Sequence, residues 1–167
     1  MQIKKATKND FAKIFNLYYR VSNKPGGLAR LVDEINNNYV LNFMNKSHDA
    51  GIELVAYSEV NEIVGEIHAY RPDIYCFSHV LSELTIVVDP KFQGHGIGRL
   101  LLEKFIEIVI KELPKTQRIE LIARESNTKA IAFYESIGFK QEGKMQNRIK
   151  NVDGSYESDI PMAWLKT

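Results

Sequence analysis

Cysteine is almost missing from the sequence. Cys76 is the only one, so no internal disulfide can form and no cysteine cluster can hold a metal. That scarcity fits a reducing compartment. Proline and glycine number only 5 and 10 in 167 residues, which excludes a collagen-like or low-complexity chain. No apolar run reaches membrane-spanning length, and the opening Met1-Gln2-Ile3-Lys4-Lys5 lacks the apolar stretch of a signal peptide. A cytoplasmic protein without a membrane partner is the expectation. No sign of charge dominates either: 22 basic against 21 acidic side chains leave a formal charge of +1, without the basic excess that phosphate backbones select, so nucleic acid is not an expected partner. No repeat or linker interrupts the chain, and one domain over residues 1–167 is expected.

What is present is a regular alternation of elements. Residues 2–6 have strand character, and Thr7 with Asp10 resembles a capping box opening a helix whose Phe11, Ile14, Phe15, Tyr18 and Tyr19 share a core face. After a Pro/Gly break at residues 22–27, Leu28, Leu31, Val32 and Ile35 predict a second helix that weakens through Asn36 to Asn38. Three strands follow as a meander, Ile52 to Ser58, Ile63 to Tyr70 and Leu81 to Val88. Asp89 and Pro90 end the third, and a glycine-rich turn enters a helix from about Ile97 to Glu112. This helix shows Ile97, Leu100, Leu101, Phe105, Ile108 and Val109 and should lie on the sheet. A strand at Ile119 to Ala123 precedes a helix capped by Asn127 and stopped by Gly138. The tail predicts two strands around the turn pair Asp153-Gly154, with Pro161 requiring an edge or a bulge.

The segment that carries most chemistry runs from Glu83 through Ile86, Val87 and Val88 into Gln93-Gly94-His95-Gly96-Ile97-Gly98-Arg99. Its glycines let the backbone turn sharply, so that several N–H groups and the positive end of a helix dipole converge on one point, an arrangement suited to a pyrophosphate. Neither the dinucleotide pattern G-x-G-x-x-G nor the Gly-Lys-Ser/Thr of a phosphate loop is met, since Arg99 and Leu100 follow Gly98. The four histidines have no ligand spacing, and no metal site is expected.

Gln93-x-x-Gly96-x-Gly98 resembles the acetyl-CoA signature of the GNAT superfamily of N-acetyltransferases, and Asn127-Thr-Lys-Ala130-Ile-Ala-Phe-Tyr134-Glu-Ser-Ile-Gly138-Phe139 is similar to that family's second block. The resemblance implies a single-domain α/β fold with a mixed, mostly antiparallel sheet of six or seven strands and about four helices. It implies acetyl-CoA as co-substrate and an amine acceptor, small molecule or peptide, attacking directly in a ternary complex. It places the pantetheine arm along Ile86, Val87 and Val88, the pyrophosphate on the turn from Gln93 to Arg99, and Asn127 on the arm, where it also serves as a helix cap. Tyr134 takes the place of the general acid. Glu83 stands on the strand that often carries the base, although alternation puts Glu83 and Ser82 on opposite faces unless a bulge intervenes. The break at residues 22–27 and the hairpin at 147–156 would shape the acceptor site. A homodimer is compatible with the family. Two alternatives stay open: a catalytically idle acyl-CoA-binding domain, and an enzyme whose acceptor is a protein N-terminus or lysine.

Overall fold

The structure is a computed structural model that describes residues 1–24, 28 and 30–166. In chain order it contains β1 (Gln2–Lys5), α1 (Phe11–Ser22), α2 (Asn37–Ala50), β2 (Gly51–Tyr57), β3 (Ile63–Tyr70), β4 (Val80–Val88), α3 (Ile97–Glu112), β5 (Arg118–Arg124), α4 (Thr128–Glu135), β6 (Lys140–Gln141), β7 (Met145–Lys150) and β8 (Tyr156–Leu165). The strands form one sheet in the order β1-β2-β3-β4-β5-β8-β6, with β7 also on β8. Every pairing is antiparallel except that of β4 with β5. The α/β class and the mostly antiparallel sheet agree with expectation, with eight strands rather than six or seven.

Each face of the sheet has its own core. On one side Ile14, Leu17, Tyr18 and Val21 of α1 meet Val40, Phe43 and Met44 of α2 against Val55 and Val87. On the other, Ile97, Leu101, Leu102, Phe105 and Val109 of α3 cover Leu54, Ile67, Leu81 and Ile119. Gly65 lets α3 approach β3 closely, since a Cβ there would lie 2.9 Å from Leu101 Cδ1 and 3.0 Å from Ile97 Cγ2. Tyr19 and Leu100 point outward, in contrast to the core face expected of both.

The second helix differs from expectation. Among the described residues a single 3-10 turn, Val32–Glu34, forms within the segment expected to be helical, and α2 starts where the pattern was expected to fade. The asparagines explain it: Asn36 Oδ1 accepts from Tyr39 N at 3.0 Å, so the Asn-rich stretch is the beginning of a helix and not its end. Residues 25–27 of the expected Pro/Gly break lie outside the described residues.

The tail carries three strands. The turn at Asp153-Gly154 is present, with Gly154 at φ 86°. Pro161 is not on an edge, because β8 has β5 on one side and β6 and β7 on the other. Its carbonyl accepts from Glu142 N at 2.9 Å. A strand residue's nitrogen lies on the same side as its own carbonyl, so the missing N–H faces the gap between the end of β6 and the start of β7, where a donor is not required.

Candidate active site

β4 and β5 pair only at Val80 with Arg118 and Leu81 with Ile119, and then part. From Ser82 onward β4 is hydrogen-bonded to β3 alone, with Ile86, Val87 and Val88 opposite Ile67, Glu66 and Gly65. Its other edge, along those same three residues, is open backbone. Val87 is buried toward α1, while Ile86 and Val88 are half-buried and pack toward α3.

A bulge marks the parting. Tyr70 pairs with Ser82 and His68 with Thr85, so the single residue Ala69 on β3 faces both Glu83 and Leu84. Glu83 adopts φ 58°, a conformation uncommon for a residue with a side chain. The inserted residue breaks the alternation, and Ser82 and Glu83 both line the same cleft. Glu83 is exposed, and among the described residues its carboxylate makes no ion pair or hydrogen bond. Ser82 is committed, donating through Oγ to Glu120 Oε1 at 2.6 Å.

Beyond Val88, Asp89 Oδ1 accepts from Lys91 N at 3.0 Å and opens a short turn over Pro90–Phe92. The Gln93 side chain braces this turn, its Nε2 donating to Val88 O at 3.1 Å, and His95 Nδ1 lies 3.1 Å from Gln93 O. Gly94 and Gly96 take φ 82° and 78°, and a Cβ added to either meets nothing within 4 Å. These glycines are therefore demanded by backbone conformation, and the space above them is open. Gly96 caps α3, and the N–H groups from Gly94 to Arg99 make no hydrogen bond within the chain among the described residues. A Cβ added to Gly98 would lie 3.8 Å from Val88 Cγ2 and 4.0 Å from Phe133 Cζ, an ordinary contact. The Arg99 guanidinium is engaged elsewhere, donating to Ser136 Oγ at 2.7 Å and to Glu103 at 3.2 Å, so toward the turn it offers only its backbone.

Asn127 is a helix cap, its Oδ1 accepting from Ala130 N at 3.2 Å; its amide NH2 has no partner among the described residues. One helical span further, the Tyr134 ring packs between Phe133 and Phe139 at centroid distances of 5.2 and 5.7 Å. Its phenol makes no hydrogen bond among the described residues, and burial pushes its pKa up to about 12, so it stays protonated over the whole neutral range.

The cleft that begins where β4 and β5 part has a volume of about 860 Å³. Tyr39 and Lys46 of α2, with Arg30 from the segment before it, form one side, His68 and Tyr70 its floor, Glu120 and Arg124 its β5 wall, and Arg148 and Asp159 its β7–β8 end. Most of these charges are paired: Arg118 with Glu120 at 2.7 Å, Arg148 with Asp159 at 3.7 Å, and Arg124 with Glu157. The sequence reading missed this α2 wall along with α2 itself. It also missed the polar floor, for which the only visible signal was the period-two run Glu66-x-His68-x-Tyr70 within an apolar strand.

The open strand edge, the glycine turn and the cleft adjoin one another on β4, and the comparison with known proteins gives the family to which this arrangement belongs. The model of the acetyltransferase (GNAT) family matches residues 10–139. The chain belongs to that family. It is 40% identical over 84 residues to the [ribosomal protein bS18]-alanine N-acetyltransferase of Escherichia coli K12, a match that spans 48% of this chain and 55% of that protein. The chain thus spans about half the length of the curated relatives it matches at this identity. Its fold resembles a GNAT acetyltransferase from Streptococcus pneumoniae, at TM-score 0.88 and 24% identity over 99% of both chains. It also resembles a Salmonella typhimurium protein solved with its cofactor acetyl-CoA, at TM-score 0.84 and 20% identity over 99% of this chain and 93% of that one.

Proposed function

We propose that the protein transfers the acetyl group of acetyl-CoA to a primary amine held in the cleft, by direct attack within a ternary complex. One observation carries this reading: the open edge of β4 leads from the glycine turn straight into the cleft, so an arm lying on that edge delivers its end to Ser82–Thr85. The residues present fit acetyl-CoA, because Gly94 and Gly96 leave open space over a run of uncommitted N–H groups at the start of α3.

Acetyl-CoA supplies the acetyl group as a thioester, whose carbonyl is open to attack by an uncharged amine. The N–H groups from Gln93 to Arg99 hold the pyrophosphate, aided by the helix dipole. Ile86, Val87 and Val88 offer backbone donors and acceptors to the arm, and one N–H of this edge holds the thioester oxygen as it gains charge. Asn127 contributes its free amide NH2. Tyr134 keeps its proton and donates it to the departing sulfur. Glu83, lifted into the cleft by the bulge, attracts the ammonium form of the acceptor.

The E. coli relative is named for an alanine of ribosomal protein bS18, which makes an alanine-initiated peptide the first acceptor to try. The test is CoA release with acetyl-CoA against a panel of alanine-initiated peptides, lysine peptides, polyamines and amino acids. Turnover of a panel amine by the purified chain is expected. Tight acetyl-CoA binding with no turnover of any amine would sink the proposal.

A further inference from the structure

We propose that His68, held by Glu66, is the group that accepts the proton directly from the acceptor amine. The proposal rests on the cleft being the amine site. His68 and Glu66 stand two residues apart on β3 and so share the face turned toward α1 and α2. His68 Nδ1 lies 3.0 Å from Glu66 Oε1, while the Tyr18 hydroxyl donates to Glu66 Oε2 at 2.6 Å and sits 3.3 Å from Nδ1. A carboxylate beside Nδ1 accepts a hydrogen bond, so the proton of the neutral ring resides on Nδ1 and Nε2 keeps its lone pair. Nε2 makes no hydrogen bond among the described residues, and the ring, 3% exposed, forms part of the cleft floor.

The ring cannot swing away from this pose. Phe43 stacks on it at 4.2 Å with 5° between planes, and Tyr70 lies parallel on the same strand at 6.2 Å. Thr85, its partner on β4, is two residues past Glu83, and all three residues line the one cleft beside the open strand edge.

The groups that face His68 are Tyr18 from α1, Arg30 from the segment before α2, Tyr39 and Lys46 from α2, Glu53 from β2, Glu66 and Tyr70 from β3, and Glu83 from the bulge of β4. Burial, and then the nearby Glu66, push Glu53 up to about 9, so Glu53 is neutral at physiological pH and does not compete as a second buried anion. The ammonium of Lys46 is drawn over the Tyr70 ring at 5.2 Å.

In the step itself a proton moves from the acceptor ammonium to His68 Nε2, and the electron pair left on the amine nitrogen forms the bond to the acyl carbon while the carbon–sulfur bond breaks. The sulfur leaves with the proton of Tyr134, and the second proton, lost by the nitrogen as the amide forms, restores the Tyr134 phenol through water. The imidazolium keeps its Nδ1–H on Glu66 and then releases the Nε2 proton to water in the open cleft. Glu83 keeps the part of drawing the ammonium in.

The experiment uses the full chain with an alanine-initiated peptide and compares His68→Gln and Glu66→Gln with the parent from about pH 6 to about pH 10, across the α-amine titration. Acetyl-CoA affinity is measured by calorimetry on the same proteins. For His68→Gln the expectation is a loss in kcat/KM of about 100-fold near pH 7, closing to within about fivefold near pH 10 where the amine is already free, with acetyl-CoA affinity unchanged. Glu66→Gln shows a smaller loss of the same pH dependence. Long-range ¹H–¹⁵N spectra of the unmodified protein show His68 as the Nδ1–H tautomer.

A loss equal at every pH in an active parent overturns the assignment and makes His68 a packing residue, as does full activity of His68→Gln. An Nε2–H tautomer also overturns it, and this readout stands even if neither variant folds. A parent that turns over no panel amine takes the proposal down together with the amine reading of the cleft, an outcome distinct from a pH-independent loss.

Discussion

Ser82 Oγ donates to Glu120 Oε1 at 2.6 Å, and this hydrogen bond spans the point where β4 and β5 cease to pair. Glu120 also accepts from Arg118 Nε at 2.7 Å, so its carboxylate is fully engaged and serves as a hinge pin rather than a proton acceptor. Ser82→Ala should leave a partly buried carboxylate short of one donor, at about 1–2 kcal/mol. In a chain of this size that lowers Tm by a few degrees. Differential scanning calorimetry checks it, and an unchanged Tm would show that the strands part without this contact.

Gly96 has open space around a notional Cβ but a φ of 78°. Gly96→Val therefore strains the backbone by about 1–3 kcal/mol without a clash inside the chain, while placing a branched side chain in the space over the α3 N-terminus. Acetyl-CoA affinity should fall by at least about tenfold, more than the global stability change explains. Calorimetric titration beside a urea melt separates the two effects, and unaltered affinity in a folded variant removes the turn from the binding site.

Tyr134→Phe keeps the ring between Phe133 and Phe139 and deletes only a hydroxyl that makes no hydrogen bond among the described residues. Stability should be retained. With its pKa up at about 12 the phenol is a reluctant acid, so the expected loss in kcat is at the lower end for proton donors, about 10- to 100-fold, with acetyl-CoA binding intact. Full kcat under conditions where chemistry limits turnover would return Tyr134 to a packing role.

Glu53 is buried, its Oε1 has no partner, and its carboxyl is pushed up to about 9. The unfolded chain releases this proton near the ordinary carboxylate range while the folded chain retains it. The stability from this group is therefore full at low pH and is lost as pH rises from about 4.3 to about 9. By pH 7 the penalty is on the order of 3 kcal/mol. Glu53→Gln cannot ionise, so its stability relative to the parent should climb with pH across that window in urea titrations. A difference that stays constant with pH would mean that Glu53 is hydrated and ionised.

The strand, glycine turn and helix from Leu81 to Glu112 were legible because each rests on local chemistry: a proline stop, glycines at positive φ and a helix with a broad apolar face. Asn127 likewise announces its helix by itself. The start of α2 was misread, since asparagine dislikes helix interiors and yet favours their first position, and composition cannot tell the two apart. The bulge at Glu83 left no local mark at all; it depends on the count of residues between two pairings with β3. Glu66, His68 and Tyr18 meet only through a helix packed on a strand some fifty residues away, which no spacing rule can express.

β8, the last strand, pairs with β5 at seven successive positions, whereas β4 holds β5 at only two. During synthesis the meander β2-β3-β4 and α3 can close as soon as they leave the ribosome, but β5 then waits with its longer edge bare until the tail arrives. The wall of the cleft made by Glu120 and Arg124 is therefore among the last parts to become ordered, and a nascent chain can present the bare edge of β4 before the cleft beside it has its second wall.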